Sequence, residues 1–180
     1  MPGEERVLVA YGTKYGATAE IAYAIGDTLR AGGLLVDVRR ARSVRSLQHY
    51  RAVVLGSAVY AGRWRSDAVR LLRRPELADR EVWLFSSGPV GERSSEAPPD
   101  DPWTRPKRVR GLAAKVGPRE QVVFGGAIAD DDGLLRKRMA RRIPEELRDL
   151  RDWDRIDGWA RSIAVALGGS FPAEQFAEPR

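Results

Sequence analysis

The residues best suited to holding a ligand stand together early in the chain, in Gly12-Thr13-Lys14-Tyr15-Gly16-Ala17-Thr18. The two glycines let the backbone come close to a bound group, and the hydroxyls of Thr13 and Thr18 can donate hydrogen bonds. The stretch follows the β-branched apolar run Val7-Leu8-Val9-Ala10 and precedes apolar residues at helical spacing from Glu20 to Leu29. A buried strand, a glycine turn and a helix in that order aim backbone N–H groups and the positive helix end at one point, which suits a phosphate. The spacing fits neither the dinucleotide pattern G-x-G-x-x-G nor the nucleotide loop G-x-x-x-x-G-K-[ST]. The competing reading is that Gly12 and Gly16 do no more than turn a strand into a helix.

Two further stretches combine glycine with small residues after an apolar run, so that the backbone would be open to a ligand. One is Gly56-Ser57-Ala58-Val59-Tyr60-Ala61-Gly62-Arg63-Trp64, the other Phe85-Ser86-Ser87-Gly88-Pro89-Val90-Gly91-Glu92. Tyr60 and Trp64 can face a flat aromatic group, and packing of Trp64 on the helix that follows is an equal alternative. Other chemistry is poorly supplied. The chain has no cysteine, which excludes disulfides, thiolate ligands and cysteine nucleophiles, and His49 is its one histidine, read as a surface residue. Asp130, Asp131 and Asp132 invite a metal, but the capping and charge balance of a helix from about residue 133 to 142 explain them better. No residue stands out as a general acid or base.

The elements that must position these stretches alternate along the chain. Strands are expected at 7–10, 34–38, 52–55 and 82–85, with a fifth within 121–129. Helices are expected at 20–29, at 66–74 closed by Pro75, at 107–116, and at 153–167 with Ile156, Trp159, Ile163 and Leu167 inward. Residues 39–48 read as a surface loop or short helix, and 94–106 as a polar, proline-rich connection. Short apolar strands separated by helices imply an α/β fold: a doubly wound, five-stranded parallel sheet with helices on both faces. Ligands of such sheets bind beyond the carboxyl ends of the strands, where all three stretches fall. The 180 residues suit one domain over 1–168, followed by a flexible C-terminal tail at 169–180.

On these motifs the chain resembles the flavodoxin-like superfamily, which binds flavin mononucleotide (FMN). The family's phosphate loop, T/S-x-T-G-x-T, is matched by Thr13-Lys14-Tyr15-Gly16-Ala17-Thr18, with Tyr15 where the family has a small hydroxyl residue. The wording of the second and third stretches is similar to a flavodoxin-domain branch that includes quinone-dependent protoporphyrinogen IX dehydrogenases. The resemblance implies strand order 2-1-3-4-5 and FMN as cofactor. It implies a phosphate cradle from Thr13, Lys14, Tyr15, Gly16, Ala17 and Thr18. A ring site would come from Ser57, Ala58, Val59, Tyr60, Ala61 and Gly62 with Ser87, Gly88, Pro89, Val90 and Gly91. Gly62, with Ala61 or Tyr60 as alternatives, would supply the peptide that rotates toward N5 of the reduced flavin.

The resemblance implies an FMN-dependent oxidoreductase that passes electrons to a quinone, with Trp103, Arg105, Lys107 and Arg108 as contacts for a porphyrin substrate. Charge bears on that choice. The net charge is +6, whereas electron-shuttling flavodoxins are typically acidic. Positive charge favours an acidic small molecule and would also permit a peripheral position at the inner face of a membrane. The absence of a long apolar run and of an N-terminal apolar segment leads to an expected cytoplasmic location. Two alternatives stay open: an electron carrier or NAD(P)H-linked quinone reductase, and a cofactor-free module binding through basic helices such as 136–142. Nucleic acid is disfavoured as a partner, for want of an RNA-binding motif or interleaved aromatics.

Overall fold

The computed structural model describes residues 6–88, 105–127 and 148–172. The elements are β1 (Arg6–Gly12), α1 (Ala17–Ala31), β2 (Val36–Arg40), β3 (Tyr50–Tyr60), β4 (Arg63–Trp64), α2 (Ser66–Leu72), β5 (Glu81–Ser87), α3 (Lys107–Val116), β6 (Glu120–Phe124) and α4 (Trp153–Ala166). Short 3₁₀ turns occupy Ala41–Ser43 and Pro75–Asp79. The sheet runs β2-β1-β3-β5-β6 with parallel pairing throughout, and β4 folds back antiparallel on the end of β3. With that small hairpin strand set aside, this is the expected order 2-1-3-4-5.

Strand periodicity sorts the core onto two faces. Val7, Val9 and Tyr11 of β1 join Ala52, Val54, Phe85 and Phe124 under α1 and α4. Leu8 and Ala10 join Val53, Leu55, Val82 and Leu84 under α2 and α3. Phe85, Phe124 and Trp159 meet at tilted or edge-on angles with ring centres 5.5–6.1 Å apart, which seats α4 on the sheet. The four residues expected to face inward from α4 (Ile156, Trp159, Ile163 and Leu167) are all buried.

Three boundaries differ from the sequence reading, each for a packing reason. Residues 39–48 form more than a surface loop, because Ala41, Val44 and Leu47 are buried in the second core face. The second ligand stretch is largely strand: β3 continues through Tyr60 before turning into β4. Of the expected tail, residues 169–171 are docked. The N–H of Gly169 donates to Ala164 O, that of Ser170 donates to Gly32 O, and Phe171 lies under the Arg161 guanidinium. The stretches at 130–142 and 173–180, and with them Asp130–Asp132 and the basic residues at 136–142, lie outside the described residues.

Candidate cofactor site

The C-terminal ends of β1, β3 and β5 lie side by side, since Gly12 pairs with Ser57 and Ala58 pairs with Ser87. This brings the three ligand stretches together at one sheet edge. In the first, Gly16 is the N-cap of α1 at φ +101°, a value that L-side chains rarely adopt. Thr13 Oγ1 accepts from the Gly16 N–H at 3.0 Å, while the Gly16 carbonyl accepts from Ala19 and Glu20. Among the described residues, none accepts from the backbone N–H groups of Lys14, Ala17 and Thr18. They form a cluster of donors at the positive end of a 15-residue helix, the arrangement an anion completes. Gly12 has a different task. A Cβ there would stand 2.9 Å from the Cβ atoms of Arg65 and Ala68, so its role is to let α2 close on β1.

The second stretch is a hairpin whose two-residue turn is Ala61-Gly62. Their φ values are +48° and +68°, as a two-residue turn with both centres left-handed demands. Ala61 is the one non-glycine residue with positive φ among those described, a point of stored strain at the tip. The hairpin is clamped from beneath. Ser57, fully buried, accepts the Arg65 N–H on its Oγ at 2.9 Å and donates to Ala58 O. Trp64 donates its Nε1–H to Ser86 Oγ at 2.9 Å and is buried in the core. Ser57 and Trp64 therefore serve the frame. The ring-facing reading of Trp64 is replaced by its alternative, packing against α2. Tyr60 remains exposed at the rim, and its ring meets Tyr15 edge-on, centres 5.8 Å apart, so the two loops touch through these side chains.

Of the third stretch, Ser87 ends β5 and Gly88 follows it. Gly88 takes φ +99° and donates its N–H to Phe124 O at 3.0 Å. Pro89, Val90 and Gly91, and Trp103 further on, lie outside the described residues. Charge around the first loop is balanced from a distance. Glu20 in the first turn of α1 is paired with Arg151, whose guanidinium also grips Asp149 and is held above its ordinary pKa range, chiefly by the hydrogen bond to that carboxylate. The carboxylate nearest the donor cluster in sequence is thus neutralised. Among the described residues, no group of three or more His, Cys, Asp or Glu could hold a metal ion, and no helix is long and apolar enough to cross a membrane.

Comparison with known families shows the family to which the fold belongs. The profile of the family described as "Flavodoxin domain" matches residues 8–152, most of the chain. The chain belongs to the flavodoxin domain family. Solved flavodoxins share its fold: one from the domain Archaea superposes with a TM-score of 0.58 at 13% identity, covering 91% of this chain and 99% of its own. Oxidised Flavodoxin 2 from Bacillus cereus superposes with 0.56 at 20% identity, covering 95% and 99%. The rubredoxin oxygen:oxidoreductase of Desulfovibrio gigas reaches 0.58 at 13% identity, covering 92% of this chain but 37% of that longer one. No curated protein matches the sequence significantly.

FMN is the cofactor of the flavodoxin domain, and the strand ends fit it. The free N–H groups of Lys14, Ala17 and Thr18 offer a phosphate cradle, and Gly62 and Gly88 bare the backbone on either side of the space beside it. Two features of this edge escaped the sequence reading. The hairpin turn at Ala61-Gly62 is signalled by its glycine alone, since alanine is not a usual residue at a left-handed turn centre. The Tyr15–Tyr60 contact has no local signal, since it joins two loops through the topology.

Proposed function

We propose that this flavodoxin domain is an FMN-dependent oxidoreductase whose substrate is an acidic small molecule. Oxidation of a porphyrinogen with transfer of electrons to a quinone is the reaction its loop wording resembles. The observation that carries the reading is the left-handed hairpin tip at Ala61-Gly62, placed beside the donor cluster of Lys14, Ala17 and Thr18 on one sheet edge. Those N–H groups bind and orient the phosphate end. The tip would present backbone polar groups to the ring, and FMN when bound would supply hydride and electron chemistry without catalytic side chains.

The net charge of +6 supports an acidic small-molecule partner over a carrier that docks on basic reductases. It also supports a peripheral site on an anionic membrane, where a quinone is at hand. The experiment has two stages. Purified protein is examined for flavin absorbance before and after adding FMN. The loaded protein is then assayed anaerobically for porphyrinogen oxidation with menadione and, separately, for NAD(P)H-driven quinone reduction. The expected result is a yellow protein active in the first assay. Activity in the second alone would replace the substrate, and a colourless protein indifferent to FMN would remove the reading altogether.

A further inference from the structure

Beside the cofactor edge lies a cleft of about 700 Å³ between α2 and the start of α3, reaching Gly62 at the hairpin tip. Five cations line it: Arg63, Arg70, Arg73, Lys107 and Arg108. All five are exposed, and among the described residues none of them has a hydrogen-bond or ion-pair partner. Several arginines elsewhere are engaged. Arg6 holds Asp37, Arg74 and Arg80 donate to backbone carbonyls, Arg119 holds Glu81, and Arg151 holds Glu20 and Asp149. Among the described residues, Arg42, Arg45 and Lys115 are also exposed without a partner, but they do not line this cleft; what sets it apart is five such cations around one hollow.

Helix polarity sharpens the point. Arg70 and Arg73 sit at the C-terminal end of α2, where a cation is welcome. Lys107 and Arg108 sit in the first turn of α3, at the positive end, where a cation is unwelcome. That turn has no acidic residue, and its N-cap, Pro106, has no side chain to cap it. The cleft therefore adds side-chain charge to unfavourable helix polarity, with no carboxylate among its lining residues. A bound anion relieves both. The floor is apolar, from Trp64, Val69 and Val109, and the volume falls in the range of small-molecule sites.

We propose that this cleft anchors the anionic part of a small-molecule redox substrate, a compound with two or more clustered negative charges carried by phosphate or carboxylate groups. Its remaining part lies toward Gly62 and the cofactor. This assignment rests on the FMN reading for its redox role, while the anion site itself stands on the cleft alone.

The test uses the full chain loaded with FMN, so that the phosphate loop is filled. Binding of pyrophosphate and of citrate is measured by calorimetry at low salt, in wild type, in Arg70→Gln/Lys107→Gln, and in Arg42→Gln/Arg45→Gln, which removes the same charge at exposed positions outside the cleft. The expected result is binding of at least one anion that weakens about tenfold or more in the cleft variant, a loss of about 1.4 kcal/mol, and stays near wild type in the control. Preference for pyrophosphate identifies a phosphate-bearing ligand, and preference for citrate a carboxylate-bearing one. Equal weakening in both variants would overturn the proposal in favour of diffuse charge. So would silence toward both anions alongside cleft-dependent binding of duplex DNA or of phosphatidylglycerol vesicles, and so would silence toward every probe. A protein that ignores FMN yet binds pyrophosphate through Arg70 and Lys107 loses the cofactor reading and keeps the cleft. A yellow protein indifferent to both anions loses the cleft alone.

Discussion

Gly62→Val separates the two states of the bound cofactor. Gly62 has φ +68° at an exposed hairpin tip, next to an alanine that already bears φ +48°. An L-residue in the left-handed region costs roughly 1–2 kcal/mol, and a β-branched one more. If the tip kept one conformation in the free, oxidised-bound and reduced-bound protein, that strain would cancel from both FMN affinities. It survives only in a comparison between states that differ in the peptide at Gly62. A tip peptide that rotates to meet the reduced ring therefore predicts unequal effects. A strain of 1–2 kcal/mol corresponds to a factor of roughly 5–30 between the two affinities. As a midpoint potential of the two-electron couple, that is a shift of roughly 20–45 mV. The assay is FMN titration by absorbance and fluorescence, aerobic for the oxidised form and anaerobic under reductant for the reduced form. Gly62→Ala, lacking the β-branch, should shift the ratio less. Equal weakening of both affinities would refute the reasoning and leave the turn with a purely structural role.

Gly56→Ala should destabilise the fold, because its Cβ would stand 2.0 Å from a ring carbon of Phe85. A cost of about 1–3 kcal/mol or more is expected in urea unfolding, with partial recovery on adding Phe85→Leu, and an unchanged midpoint would sink the packing account. Asp37 accepts hydrogen bonds from Arg6 at 2.8 Å and from the Tyr50 hydroxyl at 2.8 Å, and the Arg6 bond above all holds its carboxyl below the ordinary range. A lowered folded pKa means stability present above about pH 4 and lost as pH falls through the folded value, so Asp37→Asn should be the weaker protein at pH 7 and the gap should close on acidification. Urea midpoints at neutral and acid pH decide this, a constant gap counting against it. Tyr15→Ser should tighten FMN. A hydroxyl bonded to a charged group contributes about 1.5–3 kcal/mol, against about 0.5–1.5 kcal/mol for the lost edge contact with Tyr60. Weaker binding in a titration would show instead that Tyr15 itself packs on the cofactor.

Much of this architecture can be read from local pattern, and the reasons are visible in the residues. Val7–Ala10 and Val82–Phe85 are apolar on both faces, as central parallel strands must be, and Gly16 and Gly62 stand where the chain needs positive φ. The α3 boundaries at Lys107 and Val116 match the reading because Pro106 and Gly117 punctuate both ends. What the sequence hides is decided across the sheet. Gly12 and Gly56 look like ligand-loop glycines, yet one admits α2 and the other admits the Phe85 ring. Ser57 looks like a cofactor donor, yet its hydroxyl is spent on Arg65 N–H and Ala58 O. The cleft beside Gly62 was equally hidden, since Arg63, Arg70, Arg73, Lys107 and Arg108 come from two separate basic runs.

The two ends of the cofactor site are held by different means, and this bears on how such a domain is tuned. Beneath the hairpin, Ser57 and Ser86 tie the turn to the sheet through Arg65 N–H and Trp64 Nε1–H, so strain at Ala61-Gly62 cannot dissipate by sliding the strands. At the phosphate end the N–H donors of Lys14, Ala17 and Thr18 have no protein acceptor among the described residues, so an anion there would exchange with water. On the proposed reading, anchoring strength would reside in the first loop and redox bias in the second. The sole side-chain bridge described between them is Tyr15 against Tyr60. It follows that first-loop substitutions should change both FMN affinities together, those at the tip should change their ratio, and only Tyr15 and Tyr60 should alter affinity and ratio alike.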